Sequence, residues 1–222
     1  MSVEVIVFGT GGFGREVAWL AEEAITPTGE RTKPVCFMVD DEKDYGTIIN
    51  GLPVMSPEAA MREFPHAGVA IGIGDPSARR RVGDRLKELG CRFPVLIDPS
   101  VRRSRIVHFG QGVIVCAGSI LTTNISLEDH VHVNLDCTIG HDVVVESYVT
   151  LSPGVHISGR VHIEAQSYLG TGAVVINGTT SQDLLIGRGA IVGAGACVTR
   201  DVSQGATVVG VPAISKELRK KV

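Results

Sequence analysis

From about residue 100 onward the chain repeats with a period of six. Phe109, Val115, Leu121, Leu127, Val133, Ile139, Val145, Leu151, Ile157, Ile163, Leu169 and Val175 are twelve apolar residues in one register. Two positions before them stand other small or apolar residues, among them Val113, Val131, Cys137, Val143, Val149, Val155, Val161 and Ala173. Two inward positions in every six predict short parallel strands joined by tight corners. A unit that short cannot close a core alone and must stack on its neighbours, as in a solenoid. A sandwich would alternate with period two and turn every ~8 to 12 residues, and helical repeats need a longer period. The register breaks at NGTTSQDL, residues 177–184, and resumes at Ile186, Val192 and Val198, which predicts a loop let out of one coil.

The first hundred residues follow different periods. VEVIVF is a β-branched run, then come GTGGFG and a helically spaced REVAWLAEEA. PVCFMV and GVAIGIG read as two further strands, and DPSARRRVGDRLKELG as a helix. Strands alternating with helices predict a parallel sheet in an α/β domain. The expected organisation is a Rossmann-like unit over residues 1–98, a solenoid over 99–213 and a tail over 214–222.

Composition narrows the partners. With 24 acidic and 21 basic residues, a net charge of -3 and 5% aromatic content, nothing points to nucleic acid. No apolar run approaches the ~20 residues that span a bilayer, and the N-terminus lacks the pattern of a signal peptide. Cys36, Cys91, Cys116, Cys137 and Cys197 are odd in number and nowhere form CxxC, which predicts a reducing, cytoplasmic setting.

Chemistry-bearing residues occur in both halves. Gly9, Gly11 and Gly14 satisfy GxGxxG between a strand and a helix, where backbone N–H groups can receive phosphate. Asp40 and Asp41 end the second strand, where an acidic residue can meet a ribose hydroxyl. Only one mononucleotide half precedes the repeats, too little for the two halves that bind NAD. Arg79 reads as a solvated helix residue or a phosphate contact. In the solenoid His141 lies two residues past Ile139, at a corner, beside Asp142. An imidazole titrating near neutrality suits proton removal from an attacking amine, and the carboxylate can hold its other nitrogen. The HxxxxH spacing used by zinc hydratases of the γ-carbonic anhydrase kind is absent, and no metal site is expected. His108, His156 and His162 read as packed or solvated.

IGHDVV, LSPGVH, ISGRVH, LGTGAV and IGRGAI resemble the repeats of the hexapeptide acyltransferases. The order GTGGFG, VDD, GIGDPSARRR, NLDCTIGHD and VVGVPA resembles, more narrowly, the nucleotide-amino-sugar N-acetyltransferases, and almost as well the sialic acid O-acetyltransferases. The resemblance covers nearly the whole chain. It implies a triangular left-handed parallel β-helix with three hexapeptides per coil, behind a Rossmann-like domain, and a homotrimer using acetyl-CoA. It implies His141 as base with Asp142 as partner. Asn134, Gly9, Gly11, Gly12, Asp40, Asp41 and Gly74 are implied for the nucleotide-sugar, and Thr150, Gly159, Thr171 and Ala194 for the coenzyme. The same resemblance places a second His where this chain has Thr150. With eighteen residues per coil, His132 stacks under Thr150 as a candidate replacement, and Gly159 stacks over His141. The basic tail SKELRKKV reads as a solvated end within reach of the coenzyme's phosphates. A sugar O-acetyltransferase and a non-catalytic scaffold are the alternatives.

Overall fold

The computed structural model describes residues 2–216, so residues 217–222, most of the basic tail, lie outside the described residues. The chain divides into two compact units, one of residues 1–99 with 111–114, the other of residues 100–110 with the chain from Val115 onward.

The first unit contains β1 (Val3–Phe8), α1 (Gly12–Glu23), β2 (Thr32–Met38), β3 (Ile48–Ile49), β4 (Leu52–Met55), α2 (Pro57–Glu63), β5 (Gly68–Ile71) and α3 (Pro76–Glu88). Its sheet runs β3-β4-β2-β1-β5, with β1 parallel to both β2 and β5, β2 parallel to β4, and β3 antiparallel to β4. The strands are apolar runs because both faces are covered. Ile6, Phe8, Cys36, Met38, Val69, Ile71 and Leu86 form one of its buried clusters. Ser56 and Asp75 cap α2 and α3 through their side chains, and each of those helices has Pro within its first two positions. Burial raises the Cys36 thiol to about 12, so it behaves as a small apolar residue.

The second unit is the solenoid the period predicts. Its strands form three parallel faces. The first face carries His132–Val133, Thr150–Leu151, Tyr168–Leu169 and Ile191–Val192, the second Ile120–Leu121, Thr138–Ile139, His156–Ile157, Val174–Val175 and Cys197–Val198. The third carries Ile125–Leu127, Val143–Val145, Val161–Ile163 and Leu184–Ile186. Partners on a face are eighteen residues apart, as in Ile125↔Val143 and Thr138↔His156, so each coil is three hexapeptides. Across the predicted loop the offset becomes twenty-three, as in Val161↔Leu184. The twelve register positions are buried except Phe109, which is half-buried under the Arg103 guanidinium.

Two devices join the coils. Every sixth residue from Gly112 through Gly172 has positive φ, including Asn124, His130, Asp136, Asp142, Tyr148, Arg160 and Gln166. The corner therefore demands the left-handed conformation, which Asn and Asp tolerate better than most residues. Glu128, Glu146 and Glu164 then accept the backbone N–H of Ser147, Ala165 and Arg188, one coil on. Glu146 also pairs with His162 at 3.0 Å. The strand Ile214–Ser215 pairs antiparallel with Thr207–Val209. It belongs to the sheet instead of opening a tail at residue 214.

Candidate active site

His141 stands at the corner between the second and third faces. Its position is fixed from both sides: Asp142 N–H donates to the carbonyl of Thr123 in the preceding coil, and the carbonyl of His141 accepts from Arg160 N–H in the next. Gly140 is required by packing, since a Cβ there would lie 2.6 Å from the Ser158 carbonyl carbon. The imidazole lies over Gly159, where a Cβ would come within 2.5 Å of Cε1 and Nε2. Any other residue at 159 would displace the ring.

Asp142 Oδ2 is 2.8 Å from His141 Nδ1. A carboxylate at Nδ1 makes that nitrogen the protonated one and leaves Nε2 to accept a proton. Asn124 Nδ2 donates to Asp142 Oδ1 at 2.9 Å. The Asn124 hydrogen bond first, then that of His141, holds the Asp142 carboxyl below its ordinary value. The His141 side chain is 59% exposed, so the ring is open to a substrate.

The other solenoid residues separate. Gly159 shares the corner of His141, and Gly178 N–H donates to its carbonyl. Asn134, Thr171 and Ala194 lie at the corner between the first and second faces, one face away. Gly195 N–H bonds the Thr171 carbonyl there, while Thr171 and Ala194 are exposed and Asn134 is buried. Thr150 and His132 pair in register on the first face and are 2% and 1% exposed. This corrects two expectations: Thr150 offers the coenzyme no surface, and His132 cannot replace a solvent-facing imidazole there. The outward side chain is covered at these two positions, while Tyr168 is half-buried and Ile191 exposed farther along the same face, a difference that a six-residue pattern does not reveal. His156 Nδ1 lies 2.9 Å from Thr138 Oγ1, and His108 is exposed.

In the first unit the three motif glycines divide their work. Gly9 has φ 103 and donates its N–H to Met38. Gly14 is buried where a Cβ would fall 2.1 Å from the Gly9 carbonyl oxygen. The approach is reciprocal, since a Cβ at Gly72 would fall 2.5 Å from Gly14 Cα. Gly11 and Gly12 are exposed at the start of α1, Gly11 capping it without a side chain, so nearby backbone is open. Asp40 accepts both contacts of Arg85 Nη2, at 2.9 and 2.8 Å, and the Arg85 guanidinium lies over Phe8. Asp40 and Arg85 line a cavity of about 480 Å³ with Glu42, Tyr45, Ser56 and Glu58. Asp41 instead accepts from Lys43 N–H and caps a 3₁₀ turn. Arg79 is neither solvated nor offered to phosphate: it is fully buried, and its Nη1 donates to the carbonyls of Ile73 and Gly74. Gly74 is thereby held by its carbonyl.

Residues 4–86 match the PglD N-terminal domain model. The chain is 30% identical over 208 residues to GDP-perosamine N-acetyltransferase of Escherichia coli O157:H7, covering 93% of each. It belongs to the nucleotide-amino-sugar N-acetyltransferases. In this hexapeptide-repeat family the α/β unit is Rossmann-like and the solenoid is a left-handed β-helix. The class of activity is that of an acetyl-CoA-dependent N-acetyltransferase. WeeI of Acinetobacter baumannii is similar in structure, with TM-score 0.85, 33% identity and coverage of 97% of this chain and 100% of that one. So is the acetyltransferase domain of Neisseria gonorrhoeae PglB in complex with acetyl coenzyme A, with TM-score 0.82, 30% identity and coverage of 97% and 100%. A histidine mutant of Caulobacter crescentus perosamine N-acetyltransferase, solved with CoA and GDP-perosamine, gives TM-score 0.84 at 27% identity over 96% of both chains. No helix of the described residues is long and apolar enough to cross a membrane, and among them no group of three His, Cys, Asp or Glu could hold a metal ion.

Asn124, Gly72 and Arg85 were not singled out in the sequence. Asn124 carries a readable signal, since it lies eighteen residues before Asp142. Arg85 carries none, because its pairing with Asp40 spans 45 residues of chain.

Proposed function

We propose that the protein transfers the acetyl group of acetyl-CoA to the amino group of a UDP-, dTDP- or GDP-linked 4-amino-deoxy sugar, a cytoplasmic step in bacterial glycan synthesis. The observation that carries this reading is the His141–Asp142 pair open to solvent above Gly159. As the amine attacks the thioester carbonyl, Nε2 takes its proton. The tetrahedral species collapses, the carbon–sulfur bond breaks, and the imidazolium returns the proton to the departing thiolate. Asp142 stabilises the imidazolium and fixes the tautomer.

The acceptor class follows from the similar proteins: one is a GDP-perosamine N-acetyltransferase, another was solved with CoA and GDP-perosamine. The open start of α1 at Gly11 and Gly12, the turn at Gly9 and Gly74, and the cavity at Asp40 are assigned to the nucleotide. Thr171 and Ala194 are assigned to the pantetheine arm, with Asn134 at the same corner. Because that corner and the one bearing His141 are a face apart in one chain, the coenzyme groove is completed by a second copy, in a homotrimer.

The test is thiol release from acetyl-CoA by purified protein against a panel of UDP-, dTDP- and GDP-linked 4-amino sugars, with His141→Ala alongside. Release with one sugar, lowered roughly 10²–10⁴-fold in the variant, is expected. Full activity of His141→Ala overturns the base assignment. Silence across the panel overturns the acceptor class and favours sugar O-acetylation.

A further inference from the structure

The base is held by a chain of two hydrogen bonds, of which only the second involves neighbouring residues in sequence. Asn124 Nδ2 donates to Asp142 Oδ1 at 2.9 Å, and Asp142 Oδ2 lies 2.8 Å from His141 Nδ1. The parallel register Ile125↔Val143 places Asn124 directly one coil before Asp142. Both residues occupy the left-handed corner position, with φ 55 and φ 56. Arg160, with φ 59, is the next residue in that column.

We propose that Asn124 is a positioning residue of the transfer reaction, its amide pinning one oxygen of Asp142 so that the other is presented to His141 Nδ1. This rests on His141 acting as the base. An exposed carboxylate held by a single partner can turn, and with it the imidazole. Two donors on its two oxygens leave one orientation, which keeps Nε2 directed at the substrate. Backbone demand alone does not account for Asn here, because Gly112 and Gly118 meet the same demand in the two preceding hexapeptides without a side chain. The amide also favours the ionised carboxylate, in keeping with the lowered Asp142 value, to which the Arg160 charge adds a smaller contribution.

Asn124→Gly and Asn124→Asp separate the two roles, since both residues accept positive φ and the second is nearly isosteric. The full chain, with ¹⁵N-labelled histidine, is read by NMR for the His141 tautomer. Acetyl-CoA turnover is followed in parallel with GDP-perosamine as acceptor. Wild type should show the Nδ1-protonated form, and both variants a mixture of tautomers. Turnover should fall about tenfold in kcat for Asn124→Gly, with KM unchanged for both substrates, and further for Asn124→Asp, which sets two carboxylates face to face. In the Asp142→Asn background, Asn124→Gly should cost nothing more. A wild-type tautomer in both variants overturns the proposal, whether or not GDP-perosamine is accepted. Loss of the tautomer preference while His141→Ala keeps full turnover leaves the hydrogen-bond chain standing and removes the base reading instead.

Discussion

The two units distribute their backbone constraints in opposite ways. In the α/β unit close backbone approach is concentrated at one point, where Gly9, Gly14 and Gly72 meet with no room for a Cβ at Gly14 or Gly72. In the solenoid a different requirement, positive φ at the corner, recurs every sixth residue and is spread over Gly, Asn, His, Asp, Tyr, Arg and Gln, while close backbone approach is again met by glycines such as Gly140 and Gly170. The positive-φ position demands no single residue type in a fold built of repeated, locally stacked coils. One corner is thus free to hold His141, Asp142 and Asn124 in an arrangement chosen for chemistry. Concentrated constraint gives a rigid turn, and distributed constraint leaves side chains to spare.

The same substitution placed in each unit sharpens this contrast. Gly14→Ala drives a Cβ to 2.1 Å from a backbone oxygen, and the α1–β1 packing must give way. The expected cost is about 3 kcal/mol or more. Native-state hydrogen exchange should show lost protection in β1, β2 and β5 while the solenoid amides remain protected. Equal loss in both units would break the comparison. Gly159→Ala meets the His141 ring first, the end of a side chain that can rotate. Stability should change by about 1 kcal/mol or less, since the clash is relieved by turning an exposed side chain, while kcat falls about tenfold because the ring is pushed from its place. Thermal unfolding and steady-state kinetics on one preparation measure both.

The smallest effect concerns pH. The Asp142 carboxyl lies below its ordinary value in the folded chain, chiefly through the Asn124 hydrogen bond and then that of His141. Its contribution to stability is therefore fully present above the ordinary carboxylate range, and is lost as pH falls through the depressed value. The Tm advantage of wild type over Asp142→Asn should shrink on acidification from pH 6. An advantage that grows would reverse the assigned sign. Because the carboxylate is exposed, the change should be slight.

How legible the site was depends on whether its contacts are local or periodic. His141, Asp142 and Gly159 could be placed from sequence because the eighteen-residue coil turns spacing into proximity, and the same arithmetic reaches Asn124. Thr150 and His132 obeyed that arithmetic too, yet it could not show that these two outward positions are covered. In the α/β unit no period links Arg85 to Asp40, and Arg79, in a run that reads as a solvated helix face, is instead buried on the carbonyls of Ile73 and Gly74.

The sequence alone determined the solenoid, its register, the let-out loop, the strand–glycine–helix opening and the corner that carries the imidazole. Each follows from a period or a local backbone preference, which are properties of neighbours along the chain. Only the tertiary structure decided which polar side chains are open and which are closed, that two oxygens of Asp142 meet two different donors, and that Asn134, Thr171 and Ala194 stand a face away from His141. Those facts depend on where whole faces and helices come to rest, which is fixed by packing among residues far apart in sequence.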